Sequence, residues 1–202
     1  MKNNINLSTF FLAFLFFSTN VYSQTKNDKI KRYNIESAFI KYSISGNTKG
    51  EEILKFDDFG KREISKTDVV REVVFYSVKN IQKIKLLNVF KNNFLYAIDL
   101  NNKTGIKTIS KEYINDNKFT KEDILKNGGI LIAKNDILGK NCEVWKTRNL
   151  KIWLWKGLAL KIKSKIVGKK YEKIATEIKE NISILPNELM IPNDIKITDY
   201  TK

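Results

Sequence analysis

The chain has 202 residues, with 37 lysines and arginines against 22 aspartates and glutamates, and therefore a formal net charge of +15. It contains no histidine and a single cysteine, which excludes Ser-His-Asp and Cys-His nucleophile pairs, histidine-based zinc sites, thiolate clusters and intramolecular disulfides. Paired carboxylates and lysine chemistry remain, but neither forms a spaced motif. We therefore expect a protein that is not an enzyme and that holds no metal or cofactor.

The first residues predict export. Residues 10–17, "FFLAFLFF", form an unbroken apolar run of the length of a signal-peptide core, about 7 to 15 residues. The run is shorter than the roughly 20 apolar residues that span a bilayer. Val21 and Ser23 occupy the small-residue positions that a signal peptidase reads. We expect a signal peptide at 1–23 and a periplasmic protein, with a retained N-terminal anchor as the alternative.

Residues 24–202 predict one domain. Their length fits the soft prior of about 100–200 residues per domain, and no linker rich in proline, serine or glycine divides them. Since one cysteine cannot form an internal disulfide, the core must be held by packing. Cys142 lies in the strand-like run "NCEVW", which favours a small buried apolar residue over a reactive thiol.

A period of two dominates the first half. In "YNIESAFIKYSIS" the apolar positions share one strand face: Ala38, Ile40, Tyr42 and Ile44. The "FDDFG" at 56–60 contains the DFG of the protein-kinase metal loop, but the other kinase motifs are missing, and we interpret it as a hairpin turn. "DVVREVVFYSV" is typical of a strand, and "IKLLNVF" and "FLYAIDL" flank a hairpin turn at Lys91, Asn92 and Asn93.

One segment before the C-terminal region predicts a helix. "TKEDILKNGG" begins at a capping Thr120, with Asp123 three residues later, and ends at Gly128 and Gly129. Strands follow at close spacing, which indicates an antiparallel sheet built from hairpins. "YEKIATEIKENISI" fits both a helix and a strand, and we predict a strand for its C-terminal half. "PNELMIP" predicts one helical turn.

The segment "KIWLWKGLALKIKSK", residues 151–165, changes pattern along its length. Trp153 and Trp155 share one face and Ile152 and Leu154 the other, so both faces are apolar at its start. Beyond Gly157, apolar residues alternate with lysines, which predicts one wet face. We expect a bulge or bend at Lys156 and Gly157. A curved sheet wrapped around something explains the pattern, as does an ordinary sheet with a helix packed across one end.

The order of these features resembles the LolA-like superfamily, and specifically the uncharacterised secreted envelope proteins of that superfamily from Bacteroidetes. The segments that carry the resemblance are "YSISGNTKGEEILKFDDFGKRE", "ILGKNCEVWKT", "KIWLWKGLALKIKSK" and "ENISILPNELMIP". The resemblance implies a mainly β (α+β) fold: a curved antiparallel half-barrel of about ten strands, with short helices covering its concave face. It also implies an apolar cavity.

The resemblance implies a ligand as well. In the lipoprotein carrier of the superfamily, the cavity takes the acyl chains of lipoproteins. The arginine that locks the carrier's lid has no clear motif match at Arg62, Arg71 or Arg148. The candidate ligand-binding residues lie on the more apolar face of the predicted sheet: Ile40, Tyr42, Leu54, Phe56, Trp153, Trp155 and Leu160. Each of them is equally consistent with a simple core position.

The charge suggests a further partner. Loss of Lys2 with the signal peptide leaves +14, which favours anionic lipid, lipopolysaccharide phosphate or an acidic cell-wall polymer. The densest basic stretch is "LKIKSKIVGKKYEK", residues 160–173. A lysine-rich composition with solvated strand faces explains the same charge. We expect no nucleic-acid partner, because of the compartment, and a monomer.

Two functions follow from these patterns. The first is a periplasmic protein that holds an apolar ligand or acyl chain in a half-barrel cavity. The alternative is a structural or interaction module of the cell envelope with a filled core and a basic surface. A cavity of several hundred Å³ lined by the candidate residues would favour the first function, and a solid interior would favour the second.

Overall fold

A computed structural model describes residues 31–75, 78–109, 119–166 and 169–201, which belong to one unit, Lys31–Lys202. The predicted signal peptide at 1–23 lies outside the described residues. The described residues form twelve strands and one short α-helix: β1 Ala38–Gly46, β2 Thr48–Asp57, β3 Arg62–Phe75, β4 Val78–Lys91, β5 Phe94–Asp99, β6 Thr104–Ile109, α1 Lys121–Lys126, β7 Ile130–Ile137, β8 Lys140–Lys146, β9 Leu150–Trp155, β10 Leu158–Ile166, β11 Lys169–Glu180 and β12 Lys196–Asp199.

All twelve strands form a single sheet in the order β12-β6-β5-β4-β3-β2-β1-β11-β10-β9-β8-β7. Two antiparallel runs, β6 to β1 and β11 to β7, meet where β1 pairs with β11. The sheet is open and curved, and the fold is mainly β with very few helices, so the predicted fold class is confirmed. The twelve strands exceed the ten expected, and β12 runs parallel to β6.

Tight turns with positive φ join several strands. Asn92 and Asn93 (φ 53° and 63°) turn β4 into β5, which confirms the predicted hairpin. Lys156 and Gly157 (φ 48° and 80°) turn β9 into β10 in the same way, a geometry typical of two-residue hairpins. The predicted bulge or bend at these two residues is therefore wrong. The register shift lies just beyond, between Ala159 and Lys161.

Helix α1 covers one face of the β9–β10 hairpin. The Thr120 hydroxyl accepts a hydrogen bond from the Asp123 amide at 3.0 Å, which caps the helix as predicted. Ile124 packs into a cluster with the side chains of Trp145, Ile152, Leu154, Ala159 and Ile162. Strand β9 is apolar on this face because a helix packs across it. This was one of the two explanations offered for its pattern, a sheet with a helix packed across one end.

The C-terminal region differs from the prediction. The strand β11 ends at Glu180, and Asn181 adopts a left-handed conformation (φ 58°), so residues 181–184 do not extend the strand. The predicted helical turn is present as a 3-10 helix, Pro186–Leu189. Its Leu189 is buried with Ile64, Leu87, Val89, Ile98 and Ile184 in a second cluster on β3 to β5. No helix within the described ranges is long and apolar enough to cross a membrane.

Substitution of Ile124 should test the contact of α1 with the sheet. Ile124 is buried, whereas its neighbour Leu125 is 56% exposed. We expect Ile124→Ala to lower the free energy of unfolding by about 2–4 kcal/mol, because it leaves a cavity under the helix. Leu125→Ala should change it by less than about 0.5 kcal/mol. Urea denaturation of both variants measures the difference, and equal effects would contradict this packing.

Candidate functional site

All seven candidate ligand-binding residues lie in one buried cluster, which we call the central cluster. Cross-strand pairing of Ile40 with Leu54, and of Ala38 with Phe56, puts the β1 and β2 members on one sheet face. Exposure is zero for five of the seven and at most 9% for the two tryptophans. The further buried members are Tyr33, Ile35, Ala38, Ile137, Cys142, Val144, Leu158 and Ala175.

A segment without regular secondary structure, residues 31–37, closes the central cluster, and we call it the strap. The amides of Arg32 and Tyr33 donate to the Phe59 carbonyl at 2.8 and 3.2 Å, and the next amide, that of Asn34, donates to the Lys156 carbonyl at 3.0 Å. The Tyr33 ring lies 4.0 Å from the Phe56 ring, centroid to centroid. The strap therefore runs between two hairpin turns and adds its own apolar side chains to the cluster.

The turn below the strap requires glycine at position 60. Gly60 has φ +88°, and a Cβ there would lie 2.8 Å from the Tyr33 ring and 2.9 Å from the Arg32 Cβ. A larger residue would push the strap away from the sheet. The "FDDFG" segment is thus a turn, as predicted, and its glycine also makes room for the strap.

Charged groups are buried beside the central cluster. Glu63 accepts a hydrogen bond from the Tyr33 hydroxyl at 2.9 Å and forms an ion pair with Arg32 at 3.4 Å. Lys173, with its side chain 1% exposed, donates to Glu52 at 2.7 Å. Each of these two carboxylates thus faces a cation, which offsets part of the cost of burying its charge.

The Tyr42 hydroxyl is held neutral in the same region. It donates to the Ala159 carbonyl at 3.1 Å. Burial raises its pKa well above the usual value, and Glu52, Glu63 and Tyr171 add to the shift. Tyr42 is therefore a structural hydrogen-bond donor inside an apolar cluster.

Cys142 is buried in the central cluster, as its strand-like run predicted. Burial raises the pKa of its thiol to about 11, with a smaller contribution from Asp136. Such a thiol is protonated and unreactive at neutral pH. Within the described part of the chain, no group of three or more cysteines or carboxylates could hold a metal ion.

A concavity of the described surface lies away from the central cluster. It is an open groove of about 500 Å³ at the ends of β1, β8, β9, β10 and β11. Half-buried Leu150 and Tyr171 contribute to its walls. Six cationic side chains and one carboxylate, Glu172, line it, and the cations are Lys146, Arg148, Lys151, Lys163, Lys165 and Lys170. None of the seven candidate residues lines this groove or a second, smaller pocket at Lys134 to Asp136.

Sequence reasoning found part of this picture. It identified the apolar face and the basic stretch at 160–173, which supplies three of the groove's cations. It did not find the strap, because the segment that begins at Tyr33 was predicted to be one strand. It also did not find the buried Glu52 and Lys173. Lys173 and Ala175 are two residues apart and therefore share one strand face, which was the signal for the buried lysine.

Comparisons with known proteins bear on the fold. No family model matches the chain, and no curated protein does. An uncharacterized conserved protein from Thermus thermophilus superposes with a TM-score of 0.50 at 7% identity, over 82% of this chain and 92% of that one. At such identity the similarity concerns the fold alone.

Two further solved structures superpose more loosely. The MucA/MucB complex of Pseudomonas aeruginosa has a TM-score of 0.44 at 11% identity, over 80% of this chain and 58% of that one. A putative outer membrane lipoprotein-sorting protein domain from Vibrio parahaemolyticus has a TM-score of 0.27 at 12% identity, over 77% and 89%. Neither superposes closely enough to support an argument, and the narrower resemblance to Bacteroidetes proteins stays a prediction.

Two neighbouring glutamates test the buried ion pair. Glu52→Gln removes the charge opposite buried Lys173, so we expect a loss of about 3 kcal/mol in the free energy of unfolding. Glu51, which pairs with Lys41 at 3.0 Å, is 60% exposed, and Glu51→Gln should cost less than about 1 kcal/mol. Denaturant unfolding at pH 7 measures both. Similar small losses would mean that Lys173 is not buried with its charge.

Proposed function

We propose that the protein is a non-catalytic binding protein of the periplasm with a LolA-like fold. The predicted signal peptide supports the compartment, and the open curved sheet is compatible with binding. The absence of histidine and of any spaced catalytic motif supports a role without chemistry. Its partner is then held by shape and charge.

The packing of the central cluster favours binding at the surface. A pocket for a small ligand encloses about 300–1,000 Å³ and is lined mainly by apolar side chains. The seven candidate residues pack against one another and against Tyr33 and Ile35 of the strap. The described groove of comparable volume is lined by lysines. The geometry therefore best supports an interaction module of the cell envelope with a filled core and a basic surface.

The strap supports a second candidate, an apolar or acyl-chain ligand in the core. The strap is not paired as a strand, and turn carbonyls at Phe59 and Lys156 hold its amides. If it were displaced, Phe56 and the residues packed with it would be uncovered. In this candidate Ile40, Tyr42, Leu54, Phe56, Trp153, Trp155 and Leu160 line the ligand site.

Mass spectrometry of organic extracts decides between the two. The protein is purified from its own host's envelope without detergent, and its extract is compared with that of an equal amount of an unrelated envelope protein. We expect no fatty-acyl species in stoichiometric amount, because the seven candidate residues are buried against one another and against the strap. A stoichiometric acyl species would establish the second candidate instead.

Thermal unfolding with added fatty acid extends the same prediction. A ligand at 100 times its Kd stabilises a folded protein by about 2.7 kcal/mol. We expect no rise in Tm for the wild type. A rise that Trp153→Phe reduces, while Tyr200→Phe at an exposed position leaves it unchanged, would contradict the filled core.

A further inference from the structure

The cationic groove has an unusual pairing of charges. Directly opposite residues on neighbouring strands have Cβ atoms about 4.5–5.5 Å apart, so like charges there are destabilising. In the described strand registers, three pairs of cations lie directly opposite each other: Lys146 with Lys151, Lys151 with Lys163, and Lys165 with Lys170. All three pairs line this one groove.

Elsewhere in the described registers, charges are matched. Five directly opposed pairs outside the groove join opposite charges, namely Lys41 with Glu177, Asp57 with Arg62, Asp68 with Lys85, Lys107 with Asp199, and Lys134 with Glu143. The opposed acidic pair, Glu51 and Asp68, has Lys41 and Lys85 as separate partners at 3.0 and 3.2 Å. A lysine-rich composition alone would scatter lysine pairs over the sheet, and it does not explain their confinement to one groove.

The groove's one carboxylate is paired with only one of the groove's six cations. Glu172 already accepts from Lys161 at 2.8 Å and Lys163 at 3.0 Å. Desolvation raises the Glu172 pKa, but these two lysines outweigh it and hold the pKa below the usual value. With respect to the described residues, Lys146, Lys165 and Lys170 form no ion pair. Their charge is available to a ligand.

We propose that this groove binds a linear polyanion, a chain that carries carboxylate or phosphate groups. Lys146, Lys151 and Lys163 form a row across three strands, with a spacing of about 4.8 Å per strand. Lys165 and Lys170 continue the charge two residues further along β10 and β11. The inference rests on the proposed function, because it assigns the partner to the surface and not to the core.

The shape of the groove favours a chain over other anions. A single small anion would contact few of the six cations. Proteins that bind a membrane surface commonly insert exposed apolar side chains, but Leu150 and Tyr171 are half-buried in the groove walls. A chain lying along the groove can contact the row of Lys146, Lys151 and Lys163 and the pair of Lys165 and Lys170 at once.

Titration of the full chain with soluble polyanions tests the proposal. The probes are polygalacturonate oligomers and short polyphosphate, compared with inorganic phosphate and with phosphatidylglycerol vesicles, at low and at physiological ionic strength. We expect binding of a soluble chain that is far tighter than binding of inorganic phosphate and that weakens as salt rises. Binding of polymer no tighter than binding of inorganic phosphate would overturn the proposal. Vesicle binding through the groove without polymer binding would replace it with a membrane surface.

Two triple variants of equal charge locate the site. The groove variant is Lys146→Gln with Lys165→Gln and Lys170→Gln. The control variant, Lys83→Gln with Lys126→Gln and Lys196→Gln, changes exposed lysines outside the groove lining. We expect the groove variant to lose about tenfold or more in affinity for the polymer, and the control to stay within about twofold. Equal losses would show attraction by net charge alone and would overturn the site.

The stability of the groove variant provides an independent readout. Because the substitutions remove opposed like charges, its Tm should equal or exceed that of the wild type. A clear fall in Tm would show that these lysines stabilise the fold, which overturns a binding role. If the groove does not bind polymer and the organic extract contains no acyl species, only this inference fails. A stoichiometric acyl species in the extract would overturn the proposed function, whatever the groove binds.

Discussion

The packing of the strap against the sheet covers the central cluster. An open sheet buries a core only when another element covers its face. Helix α1 covers one face of β9, and the strap adds Tyr33 and Ile35 to the cluster on the other. With both faces of this region covered, the apolar side chains satisfy one another. The apolar side chains of the central cluster are thus covered by elements of the chain itself.

Charge is distributed according to the same division. Inside, Lys173 meets Glu52 and Arg32 meets Glu63, because a buried charge without a partner is costly. On most of the sheet surface, directly opposed charges are of opposite sign. Only the groove keeps lysines opposite lysines among the described registers, and their repulsion is the physical reason to expect an anion there.

Local patterns in the sequence predicted most of the strands, their hairpins and the capped helix, because alternation, turn residues and caps act over a few positions. They could not predict what depends on distant pairing. Whether residues 181–184 continue a strand depends on β1, which ends its pairing at Ala38 opposite Glu180. The four-residue β12 forms only because β6 offers an edge. The seven apolar candidates were placed on one face correctly, but covering by the strap is a long-range contact, and so is the opposition of Lys146 with Lys151.

Hydrogen exchange of the strap tests the closed core most directly. The amides of Arg32, Tyr33 and Asn34 donate to turn carbonyls, so peptides that cover residues 31–37 should exchange almost as slowly as those from β1. Mass spectrometry of the native full chain over a time course gives both rates. We expect both segments to be protected. Rapid exchange of the strap while β1 stays protected would mean that the core opens, and would contradict a partner bound only at the surface.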